Sequence, residues 1–458
     1  RDCLLTEIGF GRILVRIHSS LNSWVEIACP HFCGDGLISD SQSPILLETM
    51  RNFFLLALSL LTLVPASAEN WPQFRGPNGS GIAANAEAIP NEWSANENLA
   101  WKTELPGKGS SSPIIWGDRI FLTSYSGYGE SQENPGDRGN LKRHLICLNK
   151  ADGKILWETP HQAENQVSGY ANFVAHHGYA SHTPVTDGKA VYVFYAKEGA
   201  LAYDFDGNLL WHFTGVGTDT GGFGSGGALA LSEDLLIVNA SSESKAIIAL
   251  DKATGKEVWR KEGIVQCYNT PGLADDVVLV NARDQFLGLD ARTGAERWKL
   301  GGPDAYVCNS PTVVDGIAYA IQGGRGPTVA ISAEGKTLWS SKRAVTVPSP
   351  AIRNGLIFIP ERDIFTCLDA STGEEVYRER VSVPITDRTY ASPLVIGDRI
   401  LVVTRKDGAM IYAASRNFEL LAHNKIVGDD SLWNASPAVS DGRLFLRSER
   451  AIYCIAKP

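Results

Sequence analysis

Four histidines, His161, His176, His177 and His182, fall within 22 residues, and neutral imidazole is a common metal ligand. Their order argues against a metal centre. His176 and His177 are sequential, so on a strand they face opposite ways, and no Cys or acidic residue shares a ligand pattern with them. A surface loop with scattered histidines is the favoured reading. Asp204-Phe-Asp206-Gly207-Asn208 resembles the start of a calcium loop. No downstream Glu completes it, and Asp204 occupies the place of Asp251, Asp290 and Asp369 in a repeat, so it is read as a turn residue. No Ser-His-Asp order, phosphate loop or paired-carboxylate spacing stands out. Any site must therefore be found through the elements that would hold it.

Those elements repeat. Ala249–Trp259 reads ALDKATGKEVW, 288–298 reads GLDARTGAERW, 367–377 reads CLDASTGEEVY and 147–157 reads CLNKADGKILW. Copies one residue shorter end at Trp211 and Trp339, and a decayed copy ends at Leu421. A Ser/Thr-Pro pair precedes each unit, at 112, 183, 270, 310, 349, 392 and 436, and the third unit has Gly226-Gly227 instead. Within a unit the order is short apolar strand, turn, β-branched strand, third strand, Asp-x-x-Thr-Gly turn and a fourth strand carrying Trp. Asp accepts backbone amides two residues on, and Gly supplies the positive φ that closes a hairpin with a bulge. This gives structural roles to Asp251, Gly255 and Trp259, to Asp290, Gly294 and Trp298, to Asp369, Gly373 and Tyr377, and to Trp157, Trp211 and Trp339.

The last unit, from Ser436, stops after three strands, whereas Leu99–Leu105 is a Trp101 strand with no unit before it. The Trp101 strand is expected to complete the last unit and close a ring. Eight units of about 45 residues predict an all-β, eight-bladed β-propeller of four-stranded antiparallel blades over 101–458.

Ala249-x-Asp251-x-x-Thr254-Gly255-x-x-x-Trp259 resembles the tryptophan-docking repeat of the PQQ-like propeller family, which includes quinoprotein alcohol dehydrogenases and the outer-membrane assembly lipoprotein BamB. Trp71-Pro-Gln-Phe-Arg75-Gly-Pro-Asn-Gly-Ser-Gly81 resembles the leader of exported bacterial members. The dehydrogenase branch implies PQQ, a Ca²⁺ held by carboxylate and amide oxygens, an Asp base and an adjacent Cys-Cys disulfide. This chain has no Cys-Cys pair. The expected function is accordingly a non-catalytic binding or scaffold protein of the cell envelope, without cofactor and with protein partners. The alternative is a PQQ- and calcium-dependent alcohol or aldehyde dehydrogenase. By register the residues before each Ser/Thr-Pro begin the innermost strand, and His182, Tyr268, Asn269, Asn309, Tyr390 and Asn434 are the candidates for a ligand funnel at one mouth. Exposed Tyr268 and Tyr390 are also what a glycan-binding module would need. The polar stretch between Thr123 and Lys142 and the segment 161–182 are candidate partner contacts.

Composition narrows the setting. The chain of 458 residues has 42 basic and 51 acidic residues with no basic block, which argues against nucleic acid. Met50-Arg51-Asn52, the apolar run 53–64 and Pro65-Ala-Ser-Ala68 have the order of a secretory signal peptide, with cleavage after Ala68. A periplasmic or secreted, monomeric protein is expected, with no transmembrane helix after cleavage. Glu69 rather than Cys follows the cleavage point, so a lipid anchor is not expected. Residues 1–49 are read as an upstream extension outside the functional protein and 69–100 as a leader. The five cysteines beyond Ala68 cannot form a complete disulfide set, although Cys267 and Cys308 fall in adjacent blades.

Overall fold

A computed structural model describes residues 3–8, 12–18, 24–28 and 69–458, apart from 221, 323–325 and 342–346. The signal peptide expected at 50–68 lies outside the described residues. The chain divides into two units, 1–67 and 68–458. In the first, strands Cys3–Ile8, Arg12–His18 and Trp24–Ala28 form a consecutive antiparallel sheet.

The second unit is the eight-bladed propeller, each blade a four-stranded antiparallel sheet. The blades cover 114–162, 185–213, 230–262, 272–301, 312–340, 351–380, 394–424 and 438–455, and Leu99–Glu104 supplies the outer strand of the eighth. Trp101 stands opposite Cys454 in that seam. The ring therefore closes as the two incomplete units predict.

Burial explains the strand sequences. The second strand of blade 4, Val277–Ala282, is buried at all six positions because neighbouring blades cover both of its faces, and it reads as an unbroken apolar run. The outer strand Glu296–Gly301 keeps one side in water and alternates. Apolar clusters straddle the junctions between blades, for example Leu236 and Val238 with Tyr192 and Phe194, or Leu287 and Val278 with Ile237 and Ile247.

The tryptophans lock those junctions. Trp211 Nε1 donates to Lys252 O at 3.0 Å in the next blade, Trp259 to Ala291 O at 2.9 Å, Trp298 to Ala333 O at 2.9 Å and Trp339 to Ala370 O at 2.9 Å. Trp101 and Trp157 do the same to Lys150 O and Phe205 O. In the copies that carry it, the turn is built by its Asp. Asp251 Oδ1 accepts from Thr254 N at 2.8 Å and Thr254 Oγ1 at 2.7 Å, and Asp290 repeats this with Thr293. Asp204 accepts from Asp206 N and Asn208 N, consistent with a turn residue. A register shift marks the pairing of the third and fourth strands in every blade.

Two details of register differ from the sequence reading. The innermost strands begin after the Ser/Thr-Pro pair, at Ile114, Val185, Gly272, Thr312, Ala351, Leu394 and Ala438, so the residues before it form the rim of the mouth. In blade 3, whose inner strand starts at Ala230, the pair's place belongs to Ala228-Leu229 and not to Gly226-Gly227.

The leader crosses one end of the axial channel. Trp71 is fully buried and exchanges two 2.8 Å backbone bonds with Ile115 of blade 1. Pro72 O accepts from Thr186 N of blade 2. The buried Arg75 donates to Thr312 Oγ1 at 2.5 Å and to Pro350 O at 2.7 Å, in blade 5 and at the start of blade 6. Ile82–Ala83 then adds a parallel strand to the inner edge of blade 7. Among the described residues no helix is long and apolar enough to cross a membrane.

Candidate functional site

The Ser/Thr-Pro hydroxyls form a belt around the axis. Ser436 N–H donates to Ser112 Oγ, Ser112 N–H to Thr183 Oγ1, and Ala228 N–H to Thr270 Oγ1, at 3.0 to 3.1 Å. Thr270 continues to Ser310, Ser310 to Ser349, Ser349 to Ser392 and Ser392 to Ser436 at 2.8 to 3.0 Å. Each hydroxyl thus satisfies a backbone donor of the preceding blade. The belt opens between blades 2 and 3, where Ala228 carries no hydroxyl to receive Thr183.

This belt is the wall of a chamber of about 240 Å³. Phe74 from the leader reaches it opposite the roof, which comprises Phe173, Phe223 and the single helical turn Val174–His177. The aromatic groups meet edge to face: Phe223 lies 4.6 Å from Phe173, 4.7 Å from Tyr306 and 5.4 Å from Tyr268 between ring centroids.

The roof is tied down on three sides. His176 Nδ1 sits 3.3 Å from Tyr390 OH, and His176 O accepts from Asn434 Nδ2 at 2.9 Å and Arg405 Nη2 at 3.3 Å. Arg405 also donates to Asn434 Oδ1 and Asp387 Oδ2, with its guanidinium 4.6 Å over the Tyr390 ring. On the other side His177 Nε2 contacts Phe223 O at 2.9 Å. Burial pushes both imidazoles below their ordinary pKa, so they act as neutral tethers. The histidines are not scattered on a surface loop. A helical turn, rather than a strand, lets His176 and His177 reach opposite sides of the mouth.

Of the sequence candidates, Tyr268, Asn269, Tyr390 and Asn434 line the chamber. The Asn269 amide is committed to Asn281 O at 2.7 Å, and the fully buried Asn309 to Pro348 O at 2.7 Å. His182 lies in a neighbouring cavity, with Nε2 3.0 Å from Ser225 Oγ. Burial, with Arg143 adding to it, pushes its pKa down to about 3. Sequence reasoning missed Phe74, Phe173, Phe223, Tyr306 and the Arg405 tether. Only Phe74 carried a signal, its place in the leader motif. Cys147, Cys267, Cys308, Cys367 and Cys454 are free, and burial pushes the Cys267 and Cys308 thiols up to about 12.

Eight four-stranded blades locked by docked tryptophans around a roofed axial chamber define a PQQ-like β-propeller. The family model described as outer membrane protein assembly factor BamB matches residues 136–262, 222–342 and 325–417, more than half of the chain, and the chain belongs to that family. BamB of Legionella pneumophila is 24% identical over 195 residues, 40% of this chain and 49% of that protein. The chain spans about half or less of the curated relatives it matches. Among solved structures, BamB from Moraxella catarrhalis is similar with TM-score 0.54 at 17% identity, covering 77% of this chain and 97% of that one. Quinohemoprotein alcohol dehydrogenase from Comamonas testosteroni reaches TM-score 0.63 at 10% identity, covering 87% and 82%. At these identities the structures support the shared fold alone.

Proposed function

We propose that this is an exported, non-catalytic binding propeller that works through protein contacts in the envelope, in the manner that its relatives' description as an assembly factor implies. The observation that carries this reading is the chemistry of the chamber wall. Its hydroxyls hold one blade to the next, the Asn269 amide is bonded to the backbone, and among the described residues no carboxylate lines it. A bound Ca²⁺ takes six to eight oxygen ligands, carboxylates prominent among them. Arg388 is the one Lys or Arg of the described lining, a poor match for a polyanionic quinone. The residues present do not fit PQQ with calcium. The chamber is also smaller than the roughly 300–1,000 Å³ usual for ligand pockets. The outer rim offers a better contact surface: Leu156, Leu210 and Val258, each just before a docking Trp on successive blades, are 48 to 54% exposed.

The test is a titration of the purified protein with PQQ, with and without Ca²⁺, followed by tryptophan fluorescence. The expected result is no saturable change at high micromolar cofactor. Saturable quenching that requires Ca²⁺ would overturn the non-catalytic reading.

A further inference from the structure

Where the belt opens between blades 2 and 3, a second cavity of about 50 Å³ lies beside the chamber. Three side chains that line it are 2 to 5% exposed, and each has one polar atom without a partner: Arg143 Nη1, His182 Nδ1 and Glu243 Oε2. Arg143 and His182 are each held at one other atom. Arg143 Nε donates to Tyr179 O at 3.1 Å, and its guanidinium lies 5.9 Å over the Tyr195 ring. Ser225 Oγ stands 3.0 Å from His182 Nε2.

Native interiors rarely leave a buried polar atom unsatisfied, and three around one small space define an occupant. Guanidinium nitrogens only donate. Among the described residues Arg143 makes no direct ion pair. Glu198, the carboxylate that bears most on it, stays ionised with its Oε1 held by the Glu164 and Asn165 amides at 3.1 and 2.8 Å, so it offsets part of the guanidinium charge without filling the free Nη1 donor. Water can fill the space, whereas a carboxylate there would also accept a charge-assisted bond from the free Nη1 donor.

We propose that this cavity binds a small carboxylate, of formate or acetate size, held by Arg143. The volume admits about two waters, or a carboxylate of that size. Glu243 supports an anion over a cation. Burial raises its carboxyl to about 7, and the protonated form can donate into the cavity. The other titratable or charged groups facing this space are His177, Tyr179, His182, Lys197, Asp219 and Arg143 itself. Binding then takes up a proton at Glu243. The site is separate from the reading of the chamber and stands or falls independently of it.

The experiment is calorimetric titration of the whole protein with sodium acetate at constant ionic strength, at pH 6 and pH 8, with methylammonium as the cation control. One-site saturable uptake is expected, about tenfold weaker at pH 8 than at pH 6 because the carboxyl ionises in between. Glu243→Gln should bind at both pH values within about twofold, since an amide donates without titrating. Arg143→Gln should weaken binding by at least about tenfold, the scale of one charge-assisted hydrogen bond. If Arg143→Gln does not fold, the loss of pH dependence in Glu243→Gln still tests the assignment. No saturable uptake at either pH, meaning water only, would overturn the proposal. So would uptake of methylammonium in place of acetate.

Discussion

Gly255 shows how one residue serves two requirements. Its φ is +71°, and a Cβ there would lie 2.6 Å from the Trp211 ring of the preceding blade. The turn needs the left-handed conformation, and the neighbouring tryptophan needs the empty space. Gly255→Ala should therefore add strain to a clash and cost about 2–4 kcal/mol. Gly316→Ala is the matched control, because Gly316 has φ +74° with no atom within 4 Å of its Cβ position, so only the strain of about 1 kcal/mol remains. Chemical denaturation of both variants, with Trp fluorescence reporting the dock, separates the two effects. Equal losses would show that the Trp211 contact carries no weight. These turn residues were legible in the sequence because their partners are local: Asp251 bonds Thr254 three residues away. The belt was legible only as a spelling. The Ser/Thr-Pro pairs are plain, but the amide that each hydroxyl satisfies belongs to another blade, 39 residues away for Ser310 and Ser349.

At the scale of the element, the outer strands divide into a docked face and a free edge. Trp211 turns inward to Lys252 O, while Leu209 and Leu210 beside it are each 54% exposed. An unpaired outer edge with exposed aliphatic residues is a surface that ordinarily is covered or charged. Blade 4 carries the charged version, with Arg297 paired to Asp276 and Asp290. If the rim over blades 1 to 3 is where a protein partner docks, a photoreactive residue at Leu210 should give a protein adduct in cells. The same residue at Lys299, on the exposed outer strand of blade 4, should not. Leu210→Lys should remove the partner and change stability by less than about 0.5 kcal/mol. Adducts of equal yield at both positions would dismiss the rim as a specific contact. The mouth was harder to read than the blades for the same reason of scale. The segment 161–182 has no repeat to set its register, and its fold depends on Arg405, Tyr390 and Phe223, far away in sequence. Only the ring positions derived from the repeat, Tyr268, Asn269, Tyr390 and Asn434, could be placed at the mouth in advance.

For the whole molecule, the leader changes what kind of ring this is. Blade closure at the Trp101 seam joins the first and last strands of the propeller, but the leader also touches inner elements of blades 1, 2, 5, 6 and 7 from one side of the axis. Arg75 is its anchor. Among the described residues it is buried without an acidic partner, and burial lowers its pKa to about 9, yet it stays charged at neutral pH and satisfies Thr312 Oγ1, Pro350 O and Ser80 O. Arg75→Ala would leave a void and remove the charged donor from these acceptors, although Thr312 Oγ1 would still donate to Pro350 O at 3.2 Å, at a cost of about 3 kcal/mol. Trp71→Ala should cost about 3–5 kcal/mol through the cavity left by a fully buried indole. Both residues belong to one segment that must dock or leave together, because Gly76 packs on the Trp71 ring and Gly81 packs on the Arg75 guanidinium. Once either anchor is gone, much of the other's contribution is already lost. The double variant should therefore lose clearly less stability than the sum of the two single losses, by at least about 1 kcal/mol in a denaturation cycle. Strict additivity would mean that the two anchors hold independently and that the leader is not a single plug.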